Sequence, residues 1–347
     1  MRKTAEQEGI VISGVGVVSP WGLTHKDLVN AFLYGEKEFT KSRDDSCCEK
    51  VENFAAEELI GKNGLRYLNS ATRYGIYAAL QCLQSANLLN QKEKMGVIIG
   101  SHLGHLDMLE KMIGEILTEG SRALSPLSSP NGAPNVIASA IGNRTGGKAL
   151  NATIHNGFTS GLDALIYGCQ MLTDGRADFL LVGGAEGISP YYLQWLKAHG
   201  FKHVFEGAGL ILVEKSATAT ARGKLPQSKV VGCYSRPWQG GDSVQQCIIR
   251  LLGKTGLQIN QLDAVVCAGS FNRKKPEKVA LDKLGYMGSR YYCRELIGEG
   301  LAVSGLFQII FGLELLQKGA KLVLVHQYGI PGNCSAIILS QYENKCW

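Results

Sequence analysis

The chain has 347 residues, of which 45% are hydrophobic and 19% charged, with 43 glycines, 10 cysteines and a formal net charge of +6. These proportions exclude the disordered and fibrous classes, and a chain this long buries most of its apolar surface without disulfide staples. No apolar run reaches the ~18–20 residues that cross a bilayer; the nearest, 302–316, is broken by Gln308 and Glu314 and reads as a buried helix.

The charged start, MRKTAEQEG, lacks an apolar export core. The cysteines show no CxxC or zinc-finger spacing, so reduced thiols and a cytoplasmic location are expected. Cys47–Cys48 reads as two thiols in a polar loop rather than a redox pair. Basic residues are dispersed, which argues against nucleic acid as a partner, while a modest positive balance suits docking of a small acidic protein.

In chain order, residues 9–19 read as a strand, Ala71–Ala86 as a helix and 95–102 as a strand. The turn GSHLGH (100–105) lacks both the Gly-Lys-Ser/Thr ending and the dinucleotide spacing, so it predicts no nucleotide site. Its His102 and His105 stand at i, i+3 without a third ligand, so no metal is expected. Leu106–Glu119 is the next helix, and its stripe Leu109, Met112, Ile113 and Ile116 has the spacing of a core-facing surface. Strand 149–155 then leads into HNGFTSG (155–161) and a helix from Ser160 to Leu172. Two apolar strands follow, at 177–184 and 207–215. A charged stretch with Gly and Pro at 215–228 is the natural seam, which divides the chain into 1–222 and 223–347. Beyond it come strands at 229–235, 264–270, 320–327 and 334–341 and a helix from Ser304 to Leu316.

The chain repeats itself. SGLDALIYGCQML (160–172) and SGLFQIIFGLELL (304–316) coincide at Ser-Gly-Leu, one Ile, a Gly and the last Leu, and each is followed by a Gly-containing turn and an apolar strand. Both helices are apolar nearly all round, which places them at the centre of the protein. Continuous apolar strands predict sheets covered on both faces. The expected fold class is α/β: two pseudo-symmetric halves with mixed sheets around two central buried helices. The recurrence of Ser160-Gly161 as Ser304-Gly305 is explained by close helix packing rather than by a serine nucleophile.

Several stretches together resemble a β-ketoacyl synthase of the thiolase fold. They are VISGVGVVSPWG (11–22), GSHLGHLDMLE (100–110), DGRADFLLVGGAEG (174–187), FEGAGLILVEK (205–215) and YGIPGNCSAIIL (328–339), in family order and at family distances over nearly the whole chain. The resemblance implies a thiolase-like fold with ketosynthase-like N- and C-terminal halves. It also implies a cysteine at the N-terminus of the first central helix that takes up the growing chain, and two histidines that serve decarboxylation of a malonyl unit on a carrier protein.

Carried over position by position, all three are replaced. The cysteine falls on Phe158, the first histidine on Gly269 and the second on Glu299. The family lysine appears as Arg294, and the phenylalanine of its Gly-Phe-Gly-Gly gate as Ile330. No catalytic residue is therefore assigned. Members lacking the cysteine are chain-length factors, which pair with an active ketosynthase in type II polyketide synthases. The resemblance then implies that a strand carrying Ala149, Asn151, Thr153 and His155 pairs with a partner's strand. It makes Leu109, Met112, Ile113, Ile116 and Ile330 candidates for lining an acyl tunnel, with acyl carrier protein as the second partner and no cofactor. A divergent aryl-polyene or polyene system fits the compact size. Two readings stay beside this one: a homodimeric pseudoenzyme that binds acyl chains or a carrier protein, and an enzyme with chemistry relocated to Cys267, Glu299 or His155. Cys334, at a strand–loop junction, is a further thiol near the expected pocket.

Overall fold

In the computed structural model, residues 9–34, 48–52, 54, 56–61, 64–88, 94–270, 275–329 and 332–343 are described. The first half contributes strands β1 (Ile10–Val18), β2 (Met95–Gly100), β3 (Asn151–Ile154), β4 (Phe179–Glu186) and β5 (Gly207–Lys215). The second contributes β6 (Ser228–Pro237), β7 (Ala264–Cys267), β8 (Ser289–Tyr292), β9 (Leu322–Tyr328) and β10 (Asn333–Ser340). The strand order is β8-β7-β9-β10-β6-β1-β5-β4-β2-β3. Read outward from its centre, each half runs first strand, fifth, fourth, second, third. The repeat seen in the two central helices therefore extends to the whole topology.

Each half mixes parallel and antiparallel ladders, with β2–β3 and β7–β8 parallel at the two outer edges. The expectation of a separate sheet in each half meets one difference. Ile10–Ile12 of β1 pair with Ser228–Val230 of β6, so the two five-stranded sheets join at their inner edges by a three-residue ladder.

Helices fill the layers above, between and below. Those of eight residues or more are α1 (His25–Tyr34), α2 (Ser70–Ser85), α3 (Leu106–Glu119), α4 (Val136–Thr145), α5 (Ser160–Thr173), α6 (Pro190–Ala198), α7 (Ser243–Thr255), α8 (Pro276–Lys283) and α9 (Ala302–Gln317). The α5 and α9 helices share the largest core with β4, β5, β9 and α1, where Phe32 stacks on Phe311 at 4.5 Å. The α2 and α4 helices cover the outer face of the first sheet, and α7 and α8 that of the second. Their caps are local: Asn69 accepts from Thr72 N at 2.7 Å to start α2, and Ser189 accepts from Tyr192 N at 3.2 Å before Pro190 of α6.

Close packing does account for the repeated Ser-Gly. A Cβ on Gly161 would lie 2.1 Å from the carbonyl oxygen of Ala302, and one on Gly305 would lie 2.7 Å from Leu162 Cγ. The two central helices can cross at this distance only through glycine.

The α3 helix corrects the core reading of its stripe. Only Met108 is buried; Leu109 and Met112 are half-buried, while Ile113 and Ile116 are exposed. Leu109 and Met112 pack on the turn at Gly132, and the rest of the apolar face meets solvent. Ile330 lies outside the described residues, as does Cys47. No described helix is long and apolar enough to cross a membrane.

Candidate functional site

Phe158 sits in a 3₁₀ turn, Gly157–Thr159, between the end of β3 and α5. Gly157 makes the turn possible with φ +75. The ring is 5% exposed and packs among Ile188, Tyr192, Leu196, Phe201, Val204 and Leu301. It meets Phe201 edge-on at 5.4 Å and His102 at 5.3 Å. From the other side the backbone of Gly329 closes in, and a Cβ there would stand 3.2 Å from Phe158 Cβ. The N-terminus of α5 is thus plugged by hydrocarbon.

Gly269 follows β7 with φ +100, a conformation that favours glycine. Its N–H donates to Glu277 at 2.7 Å, and its carbonyl accepts from Arg294 at 3.0 Å and from the Tyr328 hydroxyl at 2.8 Å. Glu299 precedes α9 and is 2% exposed. One of its oxygens pairs with Arg294 Nε, and the other accepts from Leu301 N and the Ser304 hydroxyl, both at 2.7 Å. Arg294 also donates to the Tyr328 carbonyl at 3.2 Å and lies over that residue's ring at 4.9 Å. Burial opposes the Arg294 charge, but Glu299 and Tyr328 reverse that effect and hold the guanidinium protonated.

The three sequence-predicted positions therefore meet in one place. Phe158 shares its apolar cluster with Leu301, the Leu301 N–H donates to Glu299, and Arg294 ties Glu299 to Gly269 and to Tyr328, next to Gly329. Every polar atom of Gly269 and both carboxylate oxygens of Glu299 are engaged. Leu301 pays for the arrangement with a positive φ of 56, unusual for a branched side chain.

The other candidates divide by burial. Cys267 is fully buried and its thiol is pushed well above the ordinary value, first by burial and then by Glu277. Cys334 is likewise buried and raised. Such thiols stay protonated and inert. Ser160 accepts from Asn156 N at 2.9 Å and donates to Gly157, so it ties the turn together. His155 is exposed at the end of β3, with ring centroids 6.0 Å from His102 and 6.1 Å from His105. Among the described residues, no group of three or more His, Cys, Asp or Glu could hold a metal ion.

Among the described residues, strand β3 pairs on one side only, with β2. The carbonyls of Leu150 and Ile154 accept from Val97 N at 2.9 Å and Ser101 N at 3.1 Å. Because backbone groups alternate along a strand, Asn151 and Thr153 turn their N–H and C=O toward the open edge. The Asn151 side chain reaches back to the Ala138 carbonyl at 2.8 Å, the buried Thr153 hydroxyl has no partner among the described residues, and Ala149 is half-buried on the central core.

Sequence reasoning missed two buried carboxylates. Glu277 accepts from Ala268 N at 2.9 Å as well as Gly269 N, and pairs with His326 Nδ1 at 2.7 Å. Glu186 closes β4 and accepts from the backbone N–H groups of His102 and Leu103. Burial outweighs those donors and pushes its carboxyl up to about 8. An acid ending the apolar run FLLVGGAE was the one available signal. His102 moves the other way, to about 4, because burial and then His155 disfavour its charge.

A folded value above the unfolded one gives Glu186 a stabilising contribution that is complete below pH about 4.5 and lost as pH rises through about 8. The depressed His102 contributes above pH 6.5 and loses that contribution as pH falls through about 4. Glu186→Gln should flatten the high-pH decline in unfolding free energy measured by urea titration, by on the order of 4 kcal/mol at pH 8. His102→Gln should flatten the acid one. A Glu186→Gln profile parallel to wild type above pH 6 would contradict the assignment.

Ten strands in two pseudo-symmetric mixed halves, sandwiching a central helix pair, define a thiolase-like α/β protein. Residues 7–202 match the family "Beta-ketoacyl synthase, N-terminal domain", and the chain belongs to the β-ketoacyl synthase family. It is 27% identical to 3-oxoacyl-[acyl-carrier-protein] synthase 2 of Vibrio cholerae, over 80% of this chain and 78% of that one. It is 23% identical to the Coxiella burnetii protein of the same name, over 76% and 74%. Among solved structures, the ishigamide ketosynthase/chain length factor superposes with TM-score 0.82 at 24% identity, over 96% of this chain and all of that one. A β-ketoacyl synthase from Burkholderia phymatum gives 0.86 at 16%, over 97% and 100%. A type II polyketide synthase acyl-carrier protein in complex with its ketosynthase bound to the hexaketide gives 0.85 at 17%, over 96% and 100%.

Proposed function

We propose that the chain is a non-catalytic, chain-length-factor-like subunit that pairs with an active ketosynthase during malonyl-based elongation on an acyl carrier protein. The observation that carries this reading is the sealed site: Phe158 fills the nucleophile position, and Gly269 and Glu299 are locked into a structural network with Arg294 and Tyr328. A benzyl side chain neither attacks a thioester nor carries a proton. The buried, raised Cys267 and the fully engaged Glu299 weigh against relocated chemistry. The names of the similar structures, which include a ketosynthase/chain length factor and a ketosynthase with its carrier protein, support the kinds of partner proposed.

The open edge of β3 is the pairing surface in this reading, with Asn151, Thr153 and His155 facing the partner and Ala149 at its base. An unpaired edge attracts a strand, and the exposed Ile113 and Ile116 on α3 supply a second apolar surface that the described residues leave uncovered. In the assembly, Leu109, Met112, Ile113 and Ile116 would line or border the tunnel for the partner's growing chain, and Ile330 would stand at its gate. The division at 222/223 would separate the two ketosynthase-like halves, and the product would be a polyketide, with polyenes the class favoured by the compact chain.

Thr153→Pro tests the pairing. It removes an N–H that points outward and breaks no bond of the β2–β3 ladder, so the fold should survive. Co-purification with a ketosynthase retaining Cys and both His should drop by about tenfold or more, while the urea midpoint changes little. Undiminished co-purification would sink the β3 interface.

A further inference from the structure

A cleft of about 680 Å³ opens between α5, β6 and the end of β3. Two cysteines share its wall: Cys169 from α5 and Cys233 from β6. Cys169 is 6% exposed and belongs to the central core, whereas Cys233 is half-buried and packs against that core. Lys254 of α7 lines the same cleft, its ammonium 4.7 Å from the centre of the Tyr234 ring.

We propose that Cys233 and Cys169 form a thiol-modification site that reacts with small disulfides of the glutathione class and closes to an intramolecular disulfide. The Cys233 thiolate attacks one sulfur of the small disulfide. A new S–S bond forms to Cys233, the old S–S bond breaks, and the leaving sulfur departs as a thiolate. Cys169 then attacks Cys233 of the mixed disulfide, and its proton passes to the second departing thiol. Two cysteine thiols are oxidised and one small disulfide is reduced to two thiols, so atoms and electrons balance.

Exposure divides the roles: Cys233 is half-buried on the cleft wall, whereas Cys169 is 6% exposed. The contact between the two thiols lowers the Cys233 value against its burial, with Lys254 helping, and with burial it raises that of Cys169. By contrast Cys82, Cys247, Cys267, Cys293 and Cys334 are buried thiols raised by desolvation. Attack depends on the thiolate fraction and on access, and Cys233 is the more accessible thiol of the pair. The product would staple the central helix of the first half to the first strand of the second, on a wall that also holds Ile154 of β3.

The test is peptide mapping of the purified, reduced chain at neutral pH. Brief iodoacetamide treatment should alkylate Cys233 about tenfold faster than Cys82, Cys267 or Cys334. Oxidised glutathione should yield a peptide linked through Cys169 and Cys233, with the intact chain lighter by two hydrogens. In Cys169→Ser the reaction should stop at a glutathione adduct on Cys233. Wild-type Cys233 that labels no faster than the buried thiols, or that forms no 169–233 link while the chain stays folded by circular dichroism, would overturn the proposal whether or not the variant folds.

Discussion

Replacing Phe158 with cysteine is expected to leave the chain without condensing activity and to destabilise it by about 2–4 kcal/mol. The restored thiol would stand at the N-terminus of α5, where the helix dipole favours a thiolate. It would still lack both proton-handling groups, because Gly269 has no side chain and Glu299 is held by Arg294, Leu301 N and Ser304. Even a histidine at 269 would meet an obstacle: a Cβ there would lie 2.1 Å from Glu295 Oε2, on a backbone with φ +100. The stability loss follows from the packing. The ring fills an apolar cluster that includes Leu301 and meets Phe201 and His102, and a smaller side chain leaves a cavity. Urea titration measures the stability loss, and ketoacyl product formation from malonyl-carrier protein measures the activity. Condensation by the Phe158→Cys chain alone would show that the site had lost only its nucleophile.

Arg294→Ala is expected to cost about 3–5 kcal/mol, since it strands the Glu299 carboxylate in a site with 2% exposure. It also removes the donor to the carbonyls of Gly269 and Tyr328. Removing both charges is a different experiment. The pair Arg294→Met with Glu299→Leu deletes the buried ions together, so it should recover a large part of the loss. Urea midpoints for the single and paired variants separate a structural ion pair from an idle one. A loss below about 1 kcal/mol in Arg294→Ala would place the pair with weak surface bridges and refute its locking role.

Much of the fold was legible because its strands are buried on both faces. The leading runs FLLVGGA and LVLV of β4 and β9 are apolar throughout and can be little else. The β8 strand, SRYY, was not legible: it is a short edge strand of mixed polarity and reads as loop. The α3 stripe was misread for a general reason. Helical spacing reports that a face is apolar, not whether it is covered, and here Ile113 and Ile116 are exposed.

The site was half legible. Motif order placed Phe158, Gly269 and Glu299 and foresaw that they share one region. It could not foresee that Arg294 binds Gly269, 25 residues away, and Tyr328, 34 residues away, because those contacts depend on the crossing of β7, β9 and α9. Glu186 and the Glu277–His326 pair escaped notice for the same reason. The Cys169–Cys233 pair joins the two halves and leaves no spacing signal in the chain.

The central claim is that this subunit works only beside a catalytic ketosynthase. The most direct measurement is a tagged pull-down from the native host followed by the native mass of the complex. The account predicts one copy of this chain with one ketosynthase that retains the family's cysteine and both histidines. A stable homodimer with no synthase bound would contradict it.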